Sequence, residues 1–444
     1  MSDLPVSLAE IRRRSARGVM ALALRGGVGK AISLVTMILL SRLLPPADFG
    51  AFAILQLPLG WLNLIADAGI SGAMIQREAL SEIEARTGFT LRLLGALVLG
   101  GVGVLLAEPV GALYSLDRQA VQALRVLAVG PLISALGTVP SVRLHRRLRF
   151  ERLALAELGS LIVGQGTAAG LALSGAGLWS LVGGSFMTVT SGTLLVNLLA
   201  PWRPTLRLRG PLIRQLLSFG LPYQGQGLVH LAKDQVIPAL GGLAYSETQV
   251  GYLIWAVDLA RWPRLPADYV ARVAFPAFSR LQRDPAGLSR LLQPALMLVC
   301  LASFSAAAVG IVLGPRLVPL VFGQTWLPAV PALIVFLAQT PLDALAAVLL
   351  PLIYASGRAW RGLRLSLTWA ALTWLFALVV VWRWDDWRLL PLAIALATAM
   401  AVLLIVRRLP TGVAVRWRRV VAAPLGAAAI VAGLSRLVAI WWTG

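Results

Sequence analysis

Read for hydrophobic and polar positions, the chain is a succession of long apolar runs separated by short polar connections. The runs fall at 18–41, 49–75, 89–107, 120–142, 154–173, 178–200, 212–242, 248–271, 291–314, 328–355, 363–382, 388–406 and 420–442. A helix of about 20 apolar residues crosses the roughly 30 Å of bilayer hydrocarbon, and the runs are of that order. They are continuous, without the short alternating segments of a membrane barrel. The pattern predicts an all-α integral membrane protein with about thirteen transmembrane helices.

The connections alternate in character. One set is basic: RRRSAR, QREALSEIEAR, RLHRRLRFER, WRPTLRLRG, ARVAFPAFSRLQRD, GRAWRGLR and RRLPTGVAVRWRR. The other set, LLPPADFG, EPVGALYSLD, SGAG, LAYSET, GPRLVPLVFG and WRWDDW, holds few cations. Positive charge near span ends marks the cytoplasmic side, so the N-terminus is expected inside and the C-terminus, after thirteen spans, outside.

Composition sharpens this picture. Of the 444 residues 58% are hydrophobic and 13% charged, and the mean hydropathy is +0.80. The net charge of +21 comes from 38 Arg and two Lys against 19 acids. In a soluble chain that balance would point to nucleic acid. Here the arginines gather in alternate connections, so they report orientation and no nucleic-acid partner is expected. One cysteine, Cys300, and two histidines leave no basis for a disulfide or a metal cluster. The basic patch Arg12, Arg13, Arg14 and Arg17 resembles the start of a signal peptide, but the run after it is too long, so it reads as an uncleaved first span. RGGVGKA at 25–31 lacks the spacing and the hydroxyl residue of a phosphate-binding loop. The connections are too short to hold a soluble domain, which argues against a machine carrying its own nucleotide-binding domain.

A weak internal repeat organises the spans. FGAFAILQ opens the second span and VGYLIWAV the eighth; PSVRLHRRLRFERLAL follows the fourth and PLIYASGRAWRGLRLSL the tenth. This predicts two pseudo-symmetric six-helix lobes, 18–200 and 212–406. A basic N-terminus, 1–17, precedes them, a linker, 201–211, joins them, and a loop with one extra helix, 407–444, follows. Parallel repeats of this kind place a transporter's site between the halves near mid-membrane.

Two spans carry charge where lipid would penalise it. On the seventh, Tyr223, Gln226, His230, Lys233 and Asp234 fall within an arc of about 100°. Lys233 and Asp234 are neighbours in sequence and are expected to diverge, leaving Asp234 one turn beyond His230 as a pair able to share a proton. On the eighth, Asp258, Arg261, Arg264, Asp268 and Arg272 lie within about 120°, with Trp255, Trp262 and Tyr269 beside them. Pro263 and Pro266 must bend that helix. The first span adds Arg25 and Lys30, the second Asn63 and Asp67. Each such charge costs about 2.5–3.5 kcal/mol facing lipid, so the stripes face protein or water. Two readings follow: a polar wall lining a cavity, or acids and bases that neutralise each other along one helix.

Several stretches resemble the Wzx-like polysaccharide flippases, the O-antigen and exopolysaccharide translocases of the multidrug/oligosaccharidyl-lipid/polysaccharide exporter superfamily. They are SRLLPPADFGAFAI (41–54), DAGISGAMIQRE (67–78), LLSFGLPYQGQGLVHLAKDQVIPALGG followed by TQVGYLIWAVDLARWP, and VAFPAFSRLQRD (273–284). The resemblance covers residues 15–406 and implies a two-lobed exporter fold working by alternating access. It implies a cargo of oligosaccharide on a polyprenyl diphosphate, moved from the cytoplasmic to the outer leaflet of a bacterial inner membrane, beside glycosyltransferases and a polymerase. A cationic cavity suits a diphosphate, which Arg and Lys can solvate in place of water. Arg25, Lys30, Lys233, Arg261 and Arg264 are the candidates for that contact, and Trp255 and Trp262 for stacking on sugar rings. Asp67, His230, Asp234, Asp258 and Asp268 are candidates for coupling to H⁺, Na⁺ or membrane potential; no cofactor is expected. The alternatives are a cation-coupled exporter of drugs or small molecules, whose cavity should be rich in acids, and a membrane-embedded polysaccharide polymerase or ligase, which would need a large outer loop.

Overall fold

The computed structural model describes the backbone of residues 8–281, 284–357, 359–410 and 412–441, and all their side chains except those of 8–25, 223, 226, 272–277, 279–280, 359 and 434–441. It is built from helices, and each of the thirteen expected runs is helical over most of its length. Nine segments among the described residues are long and apolar enough to cross a membrane. The other four expected runs fall short of that measure for reasons visible in their residues. Phe150–Leu173 is diluted by Gly159, Gly164, Gly166, Gly170 and Gln165. Gly210–Asp234 and the stretch after Glu247 carry the charged stripes. The side chains of the last helix are described only as far as Gly433.

The chain divides into two compact units, residues 1–228 and 229–444. The first holds α1 (Leu8–Leu43), α2 (Pro46–Asp67), α3 (Ile70–Gln76), α4 (Glu82–Leu113), α5 (Arg118–Leu127), α6 (Gly130–Leu136), α7 (Thr138–Arg146), α8 (Phe150–Leu173), α9 (Leu178–Leu199) and most of α10 (Gly210–Asp234). Two runs expected as single helices are broken. The run 49–75 divides at Ala68 and Gly69, both left-handed, with φ of 45° and 69°. The run 120–142 becomes α5, α6 and α7, with Pro131 in the first turn of α6.

The α2–α3 break serves packing. A Cβ on Gly69 would lie 2.1 Å from the carbonyl oxygen of Gly220 in α10, and one on Gly220 would lie 2.4 Å from that of Ala68. Only glycine at both places allows the two backbones to touch. Gln224, one turn on, donates to the Leu64 carbonyl at 2.7 Å and fastens the same crossing. α8 and α9 also come close: a Cβ on Gly164 would overlap the Thr188 hydroxyl and lie 2.8 Å from the Gly184 carbonyl oxygen. Lipid gives helices no hydrophobic drive to associate, so small residues that permit close contact supply it.

The second unit holds the end of α10, then α11 (Gly242–Ala244), α12 (Glu247–Ala260), α13 (Leu265–Arg280), α14 (Pro285–Val321), α15 (Val330–Ala355), α16 (Ala359–Arg383), α17 (Leu390–Arg407) and α18 (Ala423–Trp441). The seventh run, expected to be continuous to 242, leaves regular α-helix at Asp234 and resumes as a wider π turn over Ile237–Gly241. Leu288, Leu292, Leu296 and Cys300 of α14 pack with Val348, Leu349 and Leu352 of α15 in the core of this unit. Cys300 is buried there, as a packing residue.

Candidate functional site

The second unit gathers its charges where α10 ends and where α12 breaks. Pro263 and Pro266 interrupt the helix as their rings require, leaving a 3₁₀ turn at Trp262–Arg264 between α12 and α13. A proline within a helix strands a carbonyl one turn earlier. Thr340 of α15 answers this: its hydroxyl lies 2.8 Å from the Ala260 oxygen and 2.9 Å from that of Phe336.

At the break the charges are paired. Arg261 Nη1 donates to Asp258 Oδ1 at 2.8 Å, and Arg264 Nη2 lies 3.2 Å from Asp268 Oδ1. The side chains of Arg261 and Asp258 are 53% and 50% exposed. Ser246 caps α12 in a reciprocal capping box with Gln249, which fixes where the helix begins. At 1.5 Å per residue, Asp258 and Arg261 lie about 17 and 21 Å along the helix from Glu247, so a span that begins at Glu247 would carry them inside a bilayer of about 30 Å. Half-exposed charge at that depth must meet water.

Across from the break, Lys233 corrects an expectation. Its Nζ donates to the adjacent Asp234 Oδ1 at 2.7 Å, although neighbouring positions diverge around a helix. The lysine stem is long enough to fold back, and α10 ends at Asp234, so ideal helical directions no longer apply there. Lys233 Nζ also sits 4.8 Å above the Trp369 ring of α16, a cation–π contact. Trp374 Nε1 donates to the Ala232 carbonyl at 2.8 Å and holds the end of α10 in place. His230, half a turn or more back along α10, is exposed and within electrostatic reach of Lys233, Asp234 and Arg264.

Sequence reasoning missed one member of this group. Asp343 of α15 accepts from Gln339 Nε2 at 3.0 Å and interacts electrostatically with Lys233, Arg264 and Asp234. A lone acid in the apolar run 328–355 was the signal available. With it, the cations Lys233, Arg261 and Arg264 face the carboxylates Asp234, Asp258, Asp268 and Asp343. The expected surplus of positive charge is therefore absent from this cluster among the described residues. Chemically the cluster can offer guanidinium and ammonium groups to an anion only by exchanging their carboxylate partners for it.

Trp255 is a second correction. It is 1% exposed, stacked on Trp326 with ring centroids 4.9 Å apart and edge-on to Phe322 at the same distance. At that burial no face is left for a sugar ring, because residues some seventy positions further along the chain pack against it. Trp262 is half-buried in the 3₁₀ turn. Arg272 and Arg25 lie outside the residues whose side chains are described.

In the first unit, Lys30 is exposed on α1. Asp67 is part of a half-buried knot around the buried Arg92. Its Oδ1 accepts from Ser71 at 2.6 Å and lies 3.6 Å from Arg92 Nε. Arg92, 7% exposed and overlooked in an apolar run, donates to the Asn63 carbonyl and side chain at 3.1 and 3.0 Å. The bands at 63, 67 and 92 thus hold α2 to α4.

Comparison with known proteins places this arrangement. The profile of a family described as "Polysaccharide biosynthesis protein" matches residues 39–331. The chain is 23% identical over 310 residues to the lipopolysaccharide biosynthesis protein WzxC of Escherichia coli (strain K12), covering 68% of this chain and 62% of that one. It is 28% identical over 308 residues to the succinoglycan biosynthesis transport protein ExoT of Rhizobium meliloti (strain 1021), covering 68% and 58%. These matches span less than two thirds of each relative's length. Among solved structures, the lipid II flippase MurJ in an inward closed conformation superposes with a TM-score of 0.74 at 13% identity, covering 95% of this chain and 92% of that one. An inward-facing MATE family transporter of the MOP superfamily gives 0.68 at 17%, covering 87% and 96%. At such identities the likeness establishes the fold alone, a multi-pass helical one shared with these two proteins.

Proposed function

The chain belongs to the family of polysaccharide biosynthesis proteins, and from that premise we propose that it is a lipid flippase, a secondary transporter and not an enzyme. Its cargo is an oligosaccharide on a polyprenyl diphosphate, carried by alternating access from the cytoplasmic to the outer leaflet of a bacterial inner membrane for O-antigen, exopolysaccharide or capsule assembly. The family match carries this reading. Half-exposed charge at mid-depth in α12 supports it, since a diphosphate needs a wet, polar route. Arg261, Arg264 and Lys233 are its proposed phosphate contacts, with Arg25 and Lys30 of α1 as further cations and Trp262 as a surface for sugar.

In this reading cargo and carboxylates compete for the same guanidinium groups. Asp258 and Asp268 hold Arg261 and Arg264 when cargo is absent, and release them to phosphate oxygens that accept in pairs. Asp234, His230 and Asp343 are the groups through which H⁺, Na⁺ or membrane potential drives the cycle; Asp67, tied to Arg92, belongs to the framework. Glycosyltransferases that build the cargo and a polymerase that consumes it are the proposed partners.

The topology that goes with this function puts the N-terminus and the basic connections in the cytoplasm. Cysteines at the exposed positions Ser174 and Asp385 should label with an impermeant thiol reagent in intact cells. One at the exposed Ala286 should label only after the membrane is permeabilised. Cys300 is buried and gives little background. Labelling at Ala286 in intact cells would invert the orientation.

A second reading, export of a cationic small molecule, is favoured by one observation: four carboxylates stand against three cations in the cluster. Deletion separates the two. The flippase reading expects labelled lipid-linked oligosaccharide to accumulate on the cytoplasmic face of deletion cells, with surface polysaccharide lost and drug susceptibility unchanged. Normal polysaccharide with increased sensitivity to cationic compounds would select the exporter.

A further inference from the structure

A second basic site lies in the first unit, at the turn from α7 to α8. A cavity of about 220 Å³ is lined there by Arg143, Arg147, Arg149 and Arg152 with Leu199 and Pro201, and no carboxylate lines it. In the C-terminal cluster each arginine has its acid; here, among the described residues, only Arg143 has one, Glu82, which lies outside the cavity lining.

The turn is built and held. Leu148 takes the left-handed conformation, with φ of 52°, in a place where glycine is usual. Its N–H donates to the His145 carbonyl at 3.0 Å and that of Arg149 to the Leu144 carbonyl at 2.9 Å, closing the end of α7. A strained residue of this kind persists only where its surroundings fix it. Arg146 does so: its guanidinium donates to the carbonyls of Met74, Ile75, Arg77 and Glu78 at the end of α3. Two of the cavity's arginines are anchored. Arg143 Nη2 pairs with Glu82 Oε2 at 2.6 Å and stands over Trp202, and Arg152 Nη1 donates to the Leu199 carbonyl at 2.9 Å. Arg147 and Arg149 are exposed, and no described residue accepts a hydrogen bond from either guanidinium.

Two guanidinium forks with no hydrogen-bond acceptor among the described residues, beside two anchored ones, in a basic connection that the proposed orientation puts at the cytoplasmic surface, match phosphate oxygens in geometry and charge. Basic pockets of this sort between membrane helices on the cytoplasmic side suit anionic headgroups. We propose that this cavity binds the phosphate of an anionic phospholipid of the cytoplasmic leaflet, a site separate from the transported cargo and independent of the flippase reading. The same chemistry would accept a free phosphate or diphosphate, and the test distinguishes these.

The full chain, purified in detergent, is titrated with phosphatidylglycerol, phosphatidylcholine or inorganic pyrophosphate, and adducts are counted by native mass spectrometry. Phosphatidylglycerol should be retained in preference to phosphatidylcholine and should survive excess pyrophosphate. An Arg147→Gln/Arg149→Gln variant should bind it about tenfold more weakly or worse, as expected for losing charge-assisted hydrogen bonds. Arg407→Gln/Arg408→Gln, altered at exposed arginines elsewhere, should bind normally. Equal retention by wild type and the Arg147/Arg149 variant would overturn the proposal. So would a wild type with no preference between the two lipids, a result that needs no variant to fold, or a site filled by pyrophosphate at the lipid's expense.

Discussion

Replacing Arg92 by methionine should destabilise the protein by about 3–5 kcal/mol, the largest loss expected from any single charge in it. The guanidinium is 7% exposed, pairs with Asp67 and fills both acceptors of Asn63. Removing it leaves the Asp67 carboxylate with the Ser71 hydroxyl alone, without its cationic partner, and takes the guanidinium from both Asn63 oxygens; a partly buried charge that has lost its counter-charge is what makes half a pair so costly. The converse distinguishes this from a general packing defect. Adding Asp67→Leu to Arg92→Met removes the stranded carboxylate, so the double variant should recover most of the lost stability. Thermal melting of the purified variants in detergent reads both effects. A double variant no better than the single one would locate the loss in packing; an Arg92→Met protein that melts normally would remove Arg92 from the framework.

Arg261→Glu should have the opposite profile: normal abundance and melting, no surface polysaccharide. Its partner Asp258 is half exposed, and pairs exposed to water contribute about 0–1 kcal/mol, so little stability is at stake. Transport should fail because a carboxylate now stands at the proposed phosphate contact. Arg261→Lys keeps the charge and loses the planar fork, so it should retain part of the activity. Asp258→Ala releases Arg261 from its resting partner and should leave abundance unchanged. If Arg261→Glu and Asp258→Ala both lose polysaccharide only in proportion to lost protein, the pair is structural and the phosphate contact lies elsewhere.

The contrast between these two arginines shows what could be read from residues alone. Apolar run length located the helices, because a span needs length and little else. The stripe from Asp258 to Asp268 and the break at Pro263 were legible because periodicity and proline act locally. Arg92 and Asp343 were not, since a single charge in an apolar run says nothing about which distant helix supplies its partner. The Lys233–Asp234 pair was misjudged because helical directions describe Cβ positions, while a lysine stem at a helix end can fold back. Trp255 was misplaced for the same reason as Arg92: Phe322 and Trp326, which bury it, come from another part of the chain. The break at Ala68 depends on glycine-to-glycine contact, a feature of tertiary packing that hydropathy does not register, while Pro131 after Leu127 is a local signal that run length alone passes over.

The central claim is that this chain moves a lipid-linked oligosaccharide across a bilayer. Purified protein can be reconstituted into vesicles loaded in one leaflet with radiolabelled polyprenyl-diphosphate oligosaccharide, and the label reaching the other leaflet measured by its accessibility to an added glycosidase. The account predicts time-dependent transfer that wild-type protein supports and Arg261→Glu, at equal reconstituted amounts, does not. Transfer at the rate of protein-free vesicles, whatever ion gradient or potential is imposed, would contradict it.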